Sequence, residues 1–262
     1  MEHSFRNINK KFTLVIVAAL GTILIYSAVV TLPFLFDDPI HIRWISGRAW
    51  WSVWLDVEEM QHYRPLVMSL WALSQDWFPH NPLPLHILSL LIHAANATLI
   101  GLLARKVWQR PAAGLIATVL FVSYPFQYQA MLSSGSLSKP ISALLVLAAV
   151  TLYWQGRCRQ HRLALAGAFA AALLAPFAYE AGVTSGGFLL LAEYALWRLG
   201  RIGKPAPWAL LLPLLGVPYV IAWALVPSSY QTVSFPGLES LWQSSIYFGQ
   251  ALVWPLALLA KP

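Results

Sequence analysis

The stretch KFTLVIVAALGTILIYSAVVTLPFLFDDP, residues 11–39, decides the fold. From Phe12 to Phe36 it carries no charge, and then Asp37 and Asp38 stand side by side. A helix needs about 20 mostly apolar residues to cross the hydrocarbon core of a bilayer, and this run is long enough. It is also longer than the apolar core of roughly 7–15 residues in a cleavable signal. With Arg6, Lys10 and Lys11 ahead of it, it reads as a retained signal anchor. The acid pair marks the point where the chain leaves the membrane.

The same character extends along the chain. Of 262 residues, 58% are hydrophobic and only 10% charged, with a mean hydropathy of +0.62. Soluble domains carry about 25% charged residues. The net charge of +7 comes in small clusters between apolar runs. A nucleic-acid reader would gather it on one solvated face, so nucleic acid is excluded as a partner. The single cysteine, Cys158, forms no internal disulfide. Many of the 13 tryptophans sit near run ends or after the acid pair, the pattern of an interfacial aromatic belt.

The expected fold is all-α, a polytopic membrane bundle of about eight spans: 12–34, 84–104, 112–131, 140–155, 162–178, 183–198, 207–226 and 241–260. Pro176, Pro213, Pro218 and Pro255 predict kinks, which membrane helices tolerate. The apolar segment from Tyr63 to Phe78 is too short to span and reads as an interfacial or re-entrant helix. With the N-terminus cytoplasmic, the inner segments hold Arg6, Lys10, Lys11, Arg105, Lys106, Arg110, Arg157, Arg159, Arg162, Arg198, Arg201, Lys204 and Lys261, 13 of the 17 basic residues. That orientation satisfies the positive-inside rule. Eight of the 10 acids fall outside, which that rule does not explain. The longest connection, the first outer loop at 37–83, is rich in tryptophan and poor in glycine and serine. A loop of that length is usually functional or disordered, and this composition argues against disorder.

Several features have plain structural readings. Asp37-Asp38-Pro39 is also a turn signal. His86 and His93 are two helical turns apart and share a face, a pattern suited to bonding between helices. Glu58 and Glu59 read as a solvated helix face, and GVTSGGF as close helix packing. No Gly-rich phosphate loop and no Cys/His metal cluster is present in the sequence.

Four segments in order carry a resemblance. They are FLFDDPIHI at 34–42, HYRPLVMSLWAL at 62–73, PLHILSLLIHAANATLIGLLAR at 84–105 and APFAYEAGVTSGGFLLLAEYAL at 175–196. Together they resemble the GT-C superfamily of integral-membrane glycosyltransferases, in its protein O-mannosyltransferase-like branch with the transmembrane-and-TPR mannosyltransferases. The chain matches the acid pair, a Tyr-Arg-Pro-Leu element, His86, His93 and Asn96, and the acid of a Ser-Lys-Glu element as Glu180. It departs where Ser89 replaces a frequent Asn and where Ala178 and Tyr179 replace Ser and Lys. In LFVSYPFQYQAMLSSGSLSK, Tyr124 stands for a His, and Gln127, Tyr128 and Gln129 stand for His-Thr-Glu. Family members usually run longer, so the resemblance implies that residues 1–262 are either a minimal single module or a fragment lacking a C-terminal region.

The resemblance implies transfer of a sugar from a polyprenyl-phosphate-linked donor to a hydroxyl on a protein, lipid or glycan. It places the reaction at the outer face, here the periplasmic side of a bacterial inner membrane. Such chemistry needs a base for the acceptor proton and positive charge for the phosphate leaving group. Asp38 is the first choice for the base, with Asp37 close behind, because adjacent side chains project differently and one points into the site. The other would hold the acceptor, an arginine or a divalent metal. Arg64 is the phosphate ligand, since guanidinium binds phosphate two-pronged and stays charged near lipid. Tyr63 and His62 add donors, Lys139 is a second phosphate contact, and Glu180 sits in a short turn with a site role. On this reading Asp38→Asn and Arg64→Ala each abolish activity and leave expression intact. Two other classes compete: a transporter of lipid-linked glycans, which lacks the expected inverted repeats here, and an inactive relative acting as a membrane scaffold.

Overall fold

The computed structural model describes residues 2–57, 60, 62–124 and 127–226, with the isolated positions 239, 242, 243 and 246; side chains at 2–11 and at Gln129 are not included. The chain divides into two units, Met1–Ser228 and Ser229–Pro262. The expected eighth span at 241–260 lies largely outside the described residues, as do Glu58, Glu59 and Pro255. The first unit is all helical, with no strand among the described residues. Its α-helices are α1 (Glu2–Tyr26), α2 (Asp38–Ile45), α3 (Pro65–Trp77), α4 (Leu83–Trp108), α5 (Pro111–Val122), α6 (Tyr128–Leu132), α7 (Ser138–Arg159), α8 (Arg162–Ala178), α9 (Ser185–Arg198) and α10 (Val217–Leu225). Short 3-10 turns at Ser27–Thr31, Ser134–Leu137, Glu180–Thr184 and Pro207–Gly216 link or extend them.

Among the described residues, four helical stretches are long and apolar enough to cross a membrane: Phe12–Thr31, Leu83–Trp108, Ser134–Arg159 and Pro207–Leu225. The other expected spans are shorter. Helix α5 has 12 residues, α8 has 17 and α9 has 14. At about 1.5 Å per residue a 12-residue helix rises about 18 Å, well short of a hydrocarbon core of about 30 Å. The reason lies in the stops. Helix α5 ends at Val122 just ahead of Tyr124-Pro125, and the residue before a proline is pushed out of helical geometry. After α8, Tyr179 is fully extended (φ −158°, ψ 137°). Helices α4 and α7 run longer and stop where Gln109 and Gln160 adopt positive φ, after basic residues in the last turn.

Small residues let the helices approach. A Cβ on Gly101 of α4 would meet the Thr118 hydroxyl and the Gly114 carbonyl of α5. A Cβ on Gly186 would run into the Leu212 carbonyl, so this glycine of GVTSGGF is a packing element as expected, whereas Gly187 meets nothing. Of the two histidines expected to bond between helices, His86 makes a hydrogen bond, whereas His93 makes ring contacts only and its Nε2 is buried without a partner. His86 Nε2 lies 3.2 Å from the Leu32 carbonyl, and His93 contacts Tyr26 of α1 and Phe121 of α5 through its ring.

A fully buried acid ties α7 to α9. Glu193 accepts from Tyr153 Oη at 3.0 Å, Arg157 Nε at 2.8 Å, Arg157 Nη2 at 2.6 Å and the Ala206 amide at 2.9 Å. Trp208 faces the same guanidinium at 5.5 Å.

The first loop is folded rather than draped. Helices α2 and α3 bury Trp44, Ile45, Val67, Met68 and Trp71 together with Val53, Val57 and Tyr63, in one cluster that also takes in Leu137, Ile141, Ala178 and Tyr219. This places both ends of the first loop against the α6–α7 and α8–α9 connections.

Candidate functional site

The acid pair is split. Asp38, the first residue of α2, is fully buried, and Asp37 is exposed. All of Asp38's carboxylate capacity is turned inward. Oδ1 accepts from Ser133 Oγ at 2.9 Å and the Gly135 amide at 2.6 Å; Oδ2 accepts from the Leu35 amide at 2.9 Å and the Ser134 amide at 3.3 Å. Residues 133–135 therefore form a cradle of donors that locks the start of α2 to the entry of α7. Glycine is required there, because a Cβ on Gly135 would stand 2.8 Å from His41 Cε1 and 3.1 Å from Asp38 Oδ1. Asp38 therefore anchors the start of α2, and Asp37, the second choice for the base, is the exposed carboxylate of the pair.

Arg64 and Glu180, 116 residues apart, meet in a two-pronged pair. Arg64 Nε lies 2.9 Å from Glu180 Oε1 and Nη2 lies 2.9 Å from Oε2. The Arg64 side chain is 18% exposed and that of Glu180 37%. His62 Nδ1 stands 3.5 Å from the same carboxylate. Tyr179 lies under the guanidinium at 4.7 Å, a favourable cation–π contact at the position where the resembled family carries Lys. A Lys there would repel Arg64. Tyr63 is buried; its hydroxyl donates to the Trp54 carbonyl at 3.1 Å, and its own carbonyl accepts from Tyr219 Oη at 3.1 Å. The hydroxyl and the carbonyl of Tyr63 are thus both engaged within the fold. Lys139 is exposed at the start of α7, with no side-chain partner among the described residues, four residues beyond the Gly135 cradle. Pro125 and the side chain of Gln129 lie outside what is described.

His41 is the residue that sequence reasoning missed. Its ring packs edge-on to Trp71 at 5.4 Å and against Gly135, with Nδ1 buried and unpartnered. Burial holds its pKa below the usual histidine range, against the pull of Asp38 and Asp37; Arg64 and His62 push the same way as burial. His62 is also lowered, first by burial and then by Arg64, while Glu180 and Asp37 pull it up. Asp37 thus acts on both histidines, and Arg64 does too. The position, third after Asp38 on a short helix, was the one available signal.

The sign of the pH effect follows. A native state that resists protonating His41 and His62 is at full stability above the ordinary histidine value of 6.5 and loses stability as pH falls through and below it. Thermal unfolding in detergent between about pH 8 and pH 5 is expected to show this acid-side fall, and His41→Gln/His62→Gln is expected to flatten it. An unchanged slope in the double variant would remove both histidines as its cause.

Asp38 already has a donor on every side, and no group of three or more His, Cys, Asp or Glu among the described residues could hold a metal ion. The site is a carboxylate, a guanidinium–carboxylate pair and two histidines at one end of an apolar helical unit. The chain matches no family model, no curated protein and no solved structure, so its function has to be read from its own residues.

Proposed function

We propose that the protein is a membrane glycosyltransferase that moves a sugar from a polyprenyl-phosphate-linked donor to a hydroxyl acceptor on protein, lipid or glycan. The observation that carries this reading is the meeting of His62 and Arg64 from the first loop with Glu180 from the α8–α9 turn, with Asp37 exposed at the start of the same loop. The ordered resemblance of the same segments to GT-C transferases supports it. In this reading Asp37 takes the proton of the acceptor hydroxyl as the oxygen attacks the sugar. Arg64 presents Nη1, which lies outside its pair with Glu180, to the phosphate as the glycosidic bond to it breaks. Glu180 and Tyr179 hold that guanidinium in place, and Lys139 adds a second positive charge. The basic clusters favour a cytoplasmic N-terminus and a site on the periplasmic face of a bacterial inner membrane.

A scaffold reading has one observation in its favour. The Arg64–Glu180 pair occupies most of the fork that a phosphate would use. The two readings separate in a strain lacking the gene. Mass spectrometry of polyprenyl-phosphate sugars is expected to show one donor accumulating, cleared by the wild type and not by Asp37→Asn or Arg64→Gln. Loss of a general base is expected to slow turnover about a hundredfold or more. Rescue by Asp37→Asn as full as by the wild type would leave the scaffold reading standing.

A further inference from the structure

A second basic site lies on the outward face of α2. Ile40, Arg43 and Trp44 share one side of that helix at helical spacing, and with Ser46, Arg48 and Met60 they line a groove of about 480 Å³. That volume suits a headgroup-sized ligand. Arg43 is exposed and has no side-chain partner among the described residues. Arg48 stacks over Trp44 at 4.6 Å and gives one nitrogen, Nη1, to Asp56 at 2.9 Å. Among the described residues, Arg43 and Arg48 line the groove, Asp56 pairs with Arg48 alone, and Ser46 adds a hydroxyl. The floor is apolar, made of Ile40, Trp44 and Met60. On the same loop, Ile40, Trp50, Trp51 and Leu55 are exposed. Large side chains of this kind left open on one loop of an apolar protein belong at the level of lipid headgroups.

We propose that this groove holds the phosphate group of a membrane lipid. The guanidinium groups supply charge-assisted hydrogen bonds to the phosphate oxygens. The apolar floor takes the first carbons of the attached chain, a contact that free phosphate cannot use. The inference concerns a ligand class and stands apart from the transferase reading, whose failure would leave it intact.

The test uses the full chain purified in detergent, with lipid binding read by native mass spectrometry. The probes are dioleoyl phosphatidic acid, dioleoylglycerol, which lacks the phosphate, and inorganic phosphate as competitor. Phosphatidic acid is expected to bind and dioleoylglycerol is not. Arg43→Gln is expected to weaken phosphatidic acid binding about tenfold with no change in melting temperature, and Arg43→Lys to retain most of it. Arg43 carries the test because it is exposed and unpaired, so its loss does not disturb the fold. Equal binding of the two lipids, or unchanged binding in Arg43→Gln, would overturn the site. Displacement by inorganic phosphate at concentrations matching the lipid would overturn the lipid assignment and leave a site for free phosphate.

Discussion

Asp38→Asn is expected to lower the melting temperature of the protein, while Asp37→Asn is expected to leave it unchanged. The two residues are neighbours of the same chemical type, so the contrast isolates environment. Each Asp38 oxygen accepts from two donors: Oδ1 from Ser133 Oγ and the Gly135 amide, Oδ2 from the Leu35 and Ser134 amides. An amide side chain has one accepting oxygen. Whichever way the introduced amide turned, its NH2 would face a pair of donors and leave both without an acceptor in a fully buried site. Each unsatisfied buried donor costs about 1–3 kcal/mol, so the variant is expected to lose about 2–6 kcal/mol. Thermal unfolding of both variants in detergent reads the difference directly. It also changes how activity data must be interpreted. Inactivity of Asp38→Asn reports loss of the α2 anchor, whereas inactivity of Asp37→Asn in a protein of unchanged stability reports chemistry. Equal melting temperatures for the two variants would mean that the cradle contributes nothing and that Asp38 is free to act as the base.

Arg157→Leu is expected to be the most destabilising single change at the other end of the α7–α9 contact. It leaves the Glu193 carboxylate fully buried with only the Tyr153 hydroxyl and the Ala206 amide as donors. Breaking a buried pair from one side typically costs about 3–5 kcal/mol, because the remaining charge has lost its partner and stays out of water. Arg157→Leu/Glu193→Leu removes that stranded charge. Its remaining cost is the two neutral donors and the repacking, so the double variant is expected to melt above the single one. A double variant that melts lower, by the sum of the two single losses, would show that the two groups act independently despite their 2.6 Å contact.

The elements differ in how far they were legible from sequence. The first run, α4 and α7 were readable because span length and apolar content are local properties, and four helical stretches meet both criteria. The runs at 112–131 and 183–198 misled because composition continues where geometry stops. Helix α5 ends at Val122, and the α8–α9 corner uses the extended Tyr179 and the 3-10 turn Glu180–Thr184 before α9 starts at Ser185. At the site, the sequence marks Arg64 as a phosphate ligand and Glu180 as a turn acid with a site role, and the structure makes them partners of each other. Glu193 gave only the weak signal of an acid within an apolar run, and His41 gave almost none.

What the sequence by itself determined is the class of molecule: helical, apolar enough to cross a membrane, with its acids and arginines gathered near the ends of the runs. Transfer of a side chain out of water is a property of the residue and its near neighbours, so it is written locally. What only the tertiary structure decided is which acid of the pair is sealed and which is open. No periodicity separates two adjacent residues by role. The donors that capture Asp38 come from residues 133–135, about 95 positions away, and they exist as a cradle only after α6 and α7 have packed.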